Sequence, residues 1–342
     1  MSSPVPEPLS DEDARILALE DGPVRGHTCK VVLIGGPRTA AAIRERVAGR
    51  LAREPRLGVR LEEGERPAWV PDPQLDVERQ VRDGGAVAAA GLGGAVAALM
   101  AQRLPRDRPL WALDVVAVDD GTTALVWRIH HALADGSTAM RMIRRVLLDD
   151  AQGAEGAERA GSATTTGADA VAPAPAASRL APLRQALRVP AALHRELTRR
   201  GAETVLDAAA GERRAVAFAA ARLDDVKRIG HALPERATVN DVVLSAVAGG
   251  LRGWLDGLGS HPAALRVKVP VSLHQPGDDA GNRDSFICVD LPLAERDPVE
   301  RLRAVAAETR ERKRDHDAET LDGFFRDLGH VSSSLERFAE HW

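Results

Sequence analysis

Residues Thr123–Leu147, TALVWRIHHALADGSTAMRMIRRVL, run from a strand-like stretch through two adjacent histidines into a helix-like one. Side chains alternate faces along a strand, so His130 and His131 point opposite ways and only one can look into a given cavity. His131 shares the parity of Leu125, Trp127 and Ile129, all apolar, which makes it the histidine expected to be enclosed. Asp135 stands where a helix N-cap belongs, and Met140, Ile143 and Leu147 form the expected buried stripe of that helix. Asp135 is then either a cap alone or the partner of a nearby Arg that holds the loop in shape. Gly136 either turns the chain or, lacking a side chain, leaves room for a substrate beside His131. His131 itself reads as a structural histidine or as a catalytic one. Adjacent histidines on opposite faces are poor ligands for one metal ion, and no other His, Cys or carboxylate cluster completes a set, so a metal site is not expected.

Working outward, Trp111–Val118 (WALDVVAV) is a second strand, joined to the first by Asp119-Asp120-Gly121-Thr122, a strong hairpin signal. Thr28–Ile34 reads as a strand and Thr39–Arg53 as a helix. Residues 84–101 are uncharged and near the lower limit of membrane-spanning length, but they are mostly Ala and Gly. A small-residue helix packed on the protein body is the expectation there. Residues 151–178 are rich in Ala, Gly, Thr and Pro without an apolar stripe, the material of a flexible connection. The expected division is therefore an N-terminal lobe over 1–150, a linker over 151–180 and a C-terminal lobe over 181–342. In the second half, Leu183–Ala210 reads as helical, Val216–Leu223 as extended, and Thr238–Leu255 as a capped helix with Val242, Ala246, Ala248 and Leu251 on its apolar face. Leu265–Leu273 and Ser285–Leu291 read as strands. Asp297–Lys313 reads as a helix capped by Asp297, opened by Pro298 and lined by Val299, Leu302 and Val305.

Composition narrows the function. The 342 residues are 44% hydrophobic and 28% charged, a globular mixture long enough for two cores or one large fold. Net charge is -4, aromatics are 3% and tyrosine is absent, so neither a basic field nor stacking platforms favour nucleic acid. Cys29 and Cys288 are the two cysteines, far apart, which excludes a disulfide framework. The acidic opening MSSPVPEPLSDEDARILALEDG has no basic segment before an apolar core, so a cytoplasmic protein is expected.

HHALADG has the form HHxxxDG. The chain resembles the CoA-dependent acyltransferase superfamily that includes chloramphenicol acetyltransferase and peptide-synthetase condensation domains. More narrowly, it resembles the bacterial wax ester synthase/diacylglycerol acyltransferase family. RLPRDRPLWALDVV (103–116), ATVNDVVLSAVAGGLRGWL (237–255), VKVPVSLH (267–274), GNRDSFICVDLPL (281–293) and DPVERLRAV carry the narrower likeness in the same order.

That resemblance implies an α/β (mixed α+β) fold of two chloramphenicol-acetyltransferase-like lobes with the active site at their interface. It also implies roughly another hundred residues beyond Trp342, so the C-terminal lobe is expected to be incomplete. The activity implied is transfer of a fatty acyl group from acyl-CoA to diacylglycerol or a long-chain alcohol, giving triacylglycerol or a wax ester. His131 would be the general base, Asp135 the loop organiser paired with an Arg, and Gly136 part of the motif. His130, Asn240, Asp241 and Asn282 are the candidate substrate contacts, although Asn240-Asp241 also suits a helix start and Gly281-Asn282 a turn. Pro109, Leu110 and Trp111 are expected to pack. No cofactor or metal is expected, acyl-CoA being a co-substrate, and the greasy substrates imply peripheral contact with the inner membrane face or lipid droplets. A related acyltransferase with another acceptor, and a non-catalytic lipid- or partner-binding remnant, are the alternatives.

Overall fold

The computed structural model describes residues 6–64, 66–148, 201–272 and 284–314. These fall into two compact units, the first comprising residues 6–148 joined by Ala209–Ala219 and the second taking the rest. Among the described residues no helix is long and apolar enough to cross a membrane.

The first unit opens with β1 (Glu7–Pro8) and α1 (Asp11–Ala18), whose cap Ser10 accepts a hydrogen bond from the Asp13 N–H. Then come β2 (His27–Gly35), α2 (Ala40–Arg50, capped by Thr39), β3 (Val59–Glu62), β4 (Ala68–Pro71), α3 (Val77–Gln80) and β5 (Val81–Val87). They are followed by α4 (Leu92–Ala101), β6 (Trp111–Val118), β7 (Thr122–His130) and α5 (Gly136–Leu147). A small sheet has the order β1-β4-β3, and the main sheet the order β2-β7-β6-β5. In the main sheet β2, β7 and β6 pair antiparallel while β5 runs parallel to β6.

The hairpin forms where expected, with Gly121 at φ +82° and Asp120 Oδ1 accepting from the Thr122 N–H, a turn that only a left-handed residue closes without strain. Both faces of the main sheet are covered. Trp111, Leu113, Leu125, Trp127 and Ile129 pack with Ile43 and Val47 of α2 and Met142, Ile143 and Val146 of α5. On the other face Val116, Val118, Ala124 and Val126 meet Leu92 and Val96 of α4, with Val216 against the same core. Trp111 and Trp127 stack at 5.2 Å between centroids.

Several expectations change. The uncharged 84–101 run is not one helix: its first residues belong to β5, and the helix starts at Leu92. Strand β5 completes its hydrogen bonds against β6 with a register shift between Asp83 and Ala86, where Gly85 sits at φ +75°. Pairing with a neighbour distant in sequence overrides the local pattern there. On α5, Met140 is 39% exposed, and the buried stripe is Ala139, Met142, Ile143, Val146 and Leu147.

The second unit holds α6 (Leu223–His231), α7 (Val239–Gly257), β8 (Leu265–Ser272), β9 (Asp284–Leu291) and α8 (Pro298–Arg314). β8 and β9 pair antiparallel. Ala248, Leu255, Val269, Ile287, Val289 and Val305 form its core. Ala246 and Val299, expected on apolar faces, are exposed, whereas Leu302 and Val305 are buried as expected. Helices α7 and α8 approach closely at Gly249, where a Cβ would meet Arg301 Nη2 at 2.8 Å. Residues 211–222 form no strand, and Leu223 already begins α6. The described part of the 183–210 expectation is a 3-10 turn, Val205–Asp207, in a capping box with Thr204. The 151–180 linker and most of that helix lie outside the described residues.

Candidate active site

Strand β7 ends at His130, and the chain then turns through His131–Ala134, with the Leu133 and Ala134 N–H groups both returning to the His130 carbonyl. Ala132, Leu133, Ala134 and Asp135 are fully buried. Leu133's carbonyl accepts from Arg56 Nε at 2.9 Å, so even the turn's backbone is held by a distant side chain.

The parity expectation fails here for a physical reason. Both faces of β7 are covered, so His130 is only 1% exposed, while His131, beyond the last strand residue, is half-buried. His131 donates its backbone N–H to the Gly26 carbonyl at 2.7 Å.

Asp135 caps α5: its Oδ1 accepts from the Thr138 N–H at 2.7 Å and from Ser137 Oγ at 2.9 Å. Such a cap stabilises the first helical turn by satisfying an N–H that has no intrahelical partner. Asp135→Ala is expected to cost about 1–2 kcal/mol, the upper part of the range for N-caps; an unchanged urea midpoint would contradict the role. Gly136 opens α5 and is not among the left-handed glycines, so it does not turn the chain by positive φ.

Three residues not singled out by sequence reading surround this corner. His27 pairs with His130 across β2 and β7, so both rings lie on the same sheet face. Glu20, just after α1, accepts the Gly26 N–H at 3.3 Å and the Arg106 Nη2–H at 3.1 Å, with His130 Nε2 at 3.8 Å from its Oε2. Gly26 has no side chain because a Cβ there would come within 2.7 Å of His130 Cε1. His130 Nδ1 accepts the Ala132 N–H at 3.1 Å, so a neutral His130 ring carries its proton on Nε2, facing Glu20.

Burial drives the His130 pKa down to about 4, with Glu20 opposing and Arg106 and His131 adding to the depression. Burial likewise takes His27 to about 4, aided by Arg128 and His130. Burial pulls the Glu20 carboxyl upward, but the Arg106 hydrogen bond and the Gly26 N–H outweigh it, leaving the group below its ordinary range. Both histidines are therefore neutral in the fold and take up protons near 6.5 only when unfolded. Stability they contribute is complete above pH 6.5 and is lost as pH falls toward about 4. Acidification from pH 6.5 to 4.5 should lower the thermal midpoint, and His27→Gln should reduce that slope. An equal slope in the variant would count against His27 as one of the groups responsible.

The remaining candidates lie in the second unit. Asp241 is 3% exposed; its Oδ2 accepts the Thr238 N–H and its Oδ1 accepts from Thr309 Oγ1 at 2.7 Å, so it joins α7 to α8. Asn240 is half-buried on the first turn of α7. Asn282 lies outside the described residues. Pro109 and Leu110 are buried, and Trp111 donates its Nε1–H to the Leu57 carbonyl at 2.8 Å. Among the described residues no group of three or more His, Cys, Asp or Glu is placed to hold a metal ion.

The sequence profile of the wax ester synthase/diacylglycerol acyltransferase catalytic domain matches residues 9–243, which include the whole corner. A protein of Mycobacterium tuberculosis (strain H37Rv), named as a diacylglycerol O-acyltransferase, is 30% identical over 285 residues. The match covers 72% of this chain and 54% of that relative, so the chain spans about half of the relative's length. A solved wax ester synthase/diacylglycerol acyltransferase from Marinobacter aquaeolei VT8 superposes with a TM-score of 0.60 at 22% identity, covering 90% of this chain and 72% of the other. The first condensation domain of the calcium-dependent antibiotic synthetase follows, with a TM-score of 0.54 at 17% identity, covering 92% and 76%. These likenesses support the expected chloramphenicol-acetyltransferase-like fold.

Proposed function

The chain belongs to the wax ester synthase/diacylglycerol acyltransferase family, and from that premise we propose that it transfers a fatty acyl group from acyl-CoA to an alcohol, with His131 as the general base. The observation that carries this reading is the position of His131. It is a half-buried imidazole on a turn whose neighbours are fully buried, inside the segment that matches the catalytic domain.

A hydroxyl is a weak nucleophile. As its oxygen attacks the thioester carbonyl carbon, a neutral imidazole takes the hydroxyl proton. The C–S bond then breaks, the electron pair leaves with sulfur, and the imidazolium returns the proton to the thiolate. The products are an ester and CoA-SH. Asp135 keeps the turn in shape through its cap and takes no part in proton transfer.

Diacylglycerol and long-chain alcohols are the acceptors proposed, with peripheral contact at a lipid surface following from their solubility. The test is CoA release from palmitoyl-CoA with each acceptor, wild type against His131→Ala. Histidine-dependent release with an amine but with neither alcohol overturns the acceptor assignment. Equal release by the two proteins with every acceptor overturns the enzymatic reading and favours a binding role.

A further inference from the structure

We propose that Glu20 is a positioning residue for His131, acting through Gly26 and the His130 ring; the inference rests on the reading of His131 as the base. The Glu20 side chain is 3% exposed, and its two oxygens are divided between tasks. Oε1 accepts the Gly26 N–H, and Gly26 in turn accepts the His131 N–H at 2.7 Å on its carbonyl. A single residue thus separates the carboxylate from the backbone of His131. Oε2 faces the Nε2–H of His130 at 3.8 Å, while the same ring's Nδ1 takes the Ala132 N–H on the far side of His131. One path is hydrogen-bonded throughout and the other passes through the 3.8 Å approach of the carboxylate to the His130 ring; between them they reach the peptide units before and after His131.

Two arginines keep the carboxylate in place. Arg106 donates at 3.1 Å and Arg103 lies at 3.9 Å, and Arg103 also donates to the Glu20 carbonyl at 3.0 Å. The absent Cβ of Gly26 is what lets the His130 ring lie against this strand; any side chain at 26 pushes the ring off Glu20. The arrangement is costly to bury, since it holds a carboxylate and two imidazoles away from water. Stability alone is better served by apolar residues of similar volume. A device that holds one backbone segment in place accounts for the cluster's position directly behind His131.

Such a role shows in kcat and in local geometry together. A displacement of a catalytic group by about an ångström costs on the order of 10²-fold in rate. In Glu20→Ala, kcat for palmitoyl-CoA with a long-chain alcohol should fall on that order with KM unchanged, and the His131 backbone amide should exchange with deuterium faster than in wild type. Glu20→Gln keeps a carbonyl that accepts the Gly26 N–H but turns an NH2 group toward the His130 Nε2–H and Arg106, so its His131 exchange should fall between wild type and Glu20→Ala. If Glu20→Ala does not fold, Glu20→Asp takes its place: it retains the charge but withdraws the carboxylate from Gly26, and the same losses are expected. Wild-type exchange at His131 in the folded alanine or aspartate variant overturns the proposal. Amide exchange reads the geometry whether or not acyl transfer is detected, whereas activity surviving in His131→Ala refutes the base assignment alone.

Discussion

Replacing His131 with alanine should lower kcat for acyl transfer by about 10²–10⁴-fold, the contribution typical of a positioned general base. The expectation is specific because the backbone of the corner is held by groups other than this imidazole. The hydrogen bond that ties residue 131 to Gly26 is made by the backbone N–H, which alanine retains. The turn is shaped by Ala132–Asp135, all fully buried, and by the Asp135 cap on Thr138, none of which the substitution touches. His131 is half-buried, so truncating it opens no cavity in the core of the first unit. KM should therefore stay near wild type while kcat falls, the pattern of an interaction made in the transition state. The thermal midpoint should move little. A variant that loses activity only in proportion to lost folded protein would reassign His131 to a structural role.

The largest stability effect is expected from Asp114→Ala. Asp114 of β6 is 3% exposed and lies between two guanidiniums: Arg82 Nη2 at 2.6 Å from Oδ1, and Arg128 Nη2 at 3.1 Å from Oδ2. Arg128 is 1% exposed, and its Nη1 donates to the Leu99 and Gln102 carbonyls at the end of α4, so it cannot swing out to water without uncapping that helix. Removing the carboxylate leaves a buried, uncompensated positive charge with a second one nearby. Breaking one side of such a pair costs about 3–5 kcal/mol. The urea midpoint of the first unit should fall accordingly at neutral pH with the slope unchanged. Asp114→Leu combined with Arg128→Met should be less damaging than Asp114→Ala alone, because it removes both charges together. A loss below about 1 kcal/mol in the single variant would mean that water reaches Arg128.

Much of the fold was legible from short-range signals. The hairpin at Asp120-Gly121, the caps Asp135 and Thr238, and the strand before and helix after the histidines all depend on residues a few positions apart. Where sequence reading failed, a distant partner had intervened. Strand β5 exists because β6 supplies its hydrogen bonds, although Ala and Gly around residue 84 carry no strand signal of their own. The parity argument for His131 assumed one covered face, and α4 covers the other. Glu20 and Gly26 carried no visible signal, since an acidic residue after a short helix and a glycine before a strand are ordinary loop features.

From the order of its residues alone, this chain declares its central hairpin, the capped helix that follows, its HHxxxDG turn and its family, because each of these is written in local stretches of sequence. The surroundings of the two histidines were decided only in three dimensions. The β2–β7 register sets His27 opposite His130 and brings Gly26 and Glu20 behind His131, across a separation in sequence that no local pattern spans. Hydrogen bonding between strands and the burial of both sheet faces impose that meeting, and neither can be read until the strands are paired.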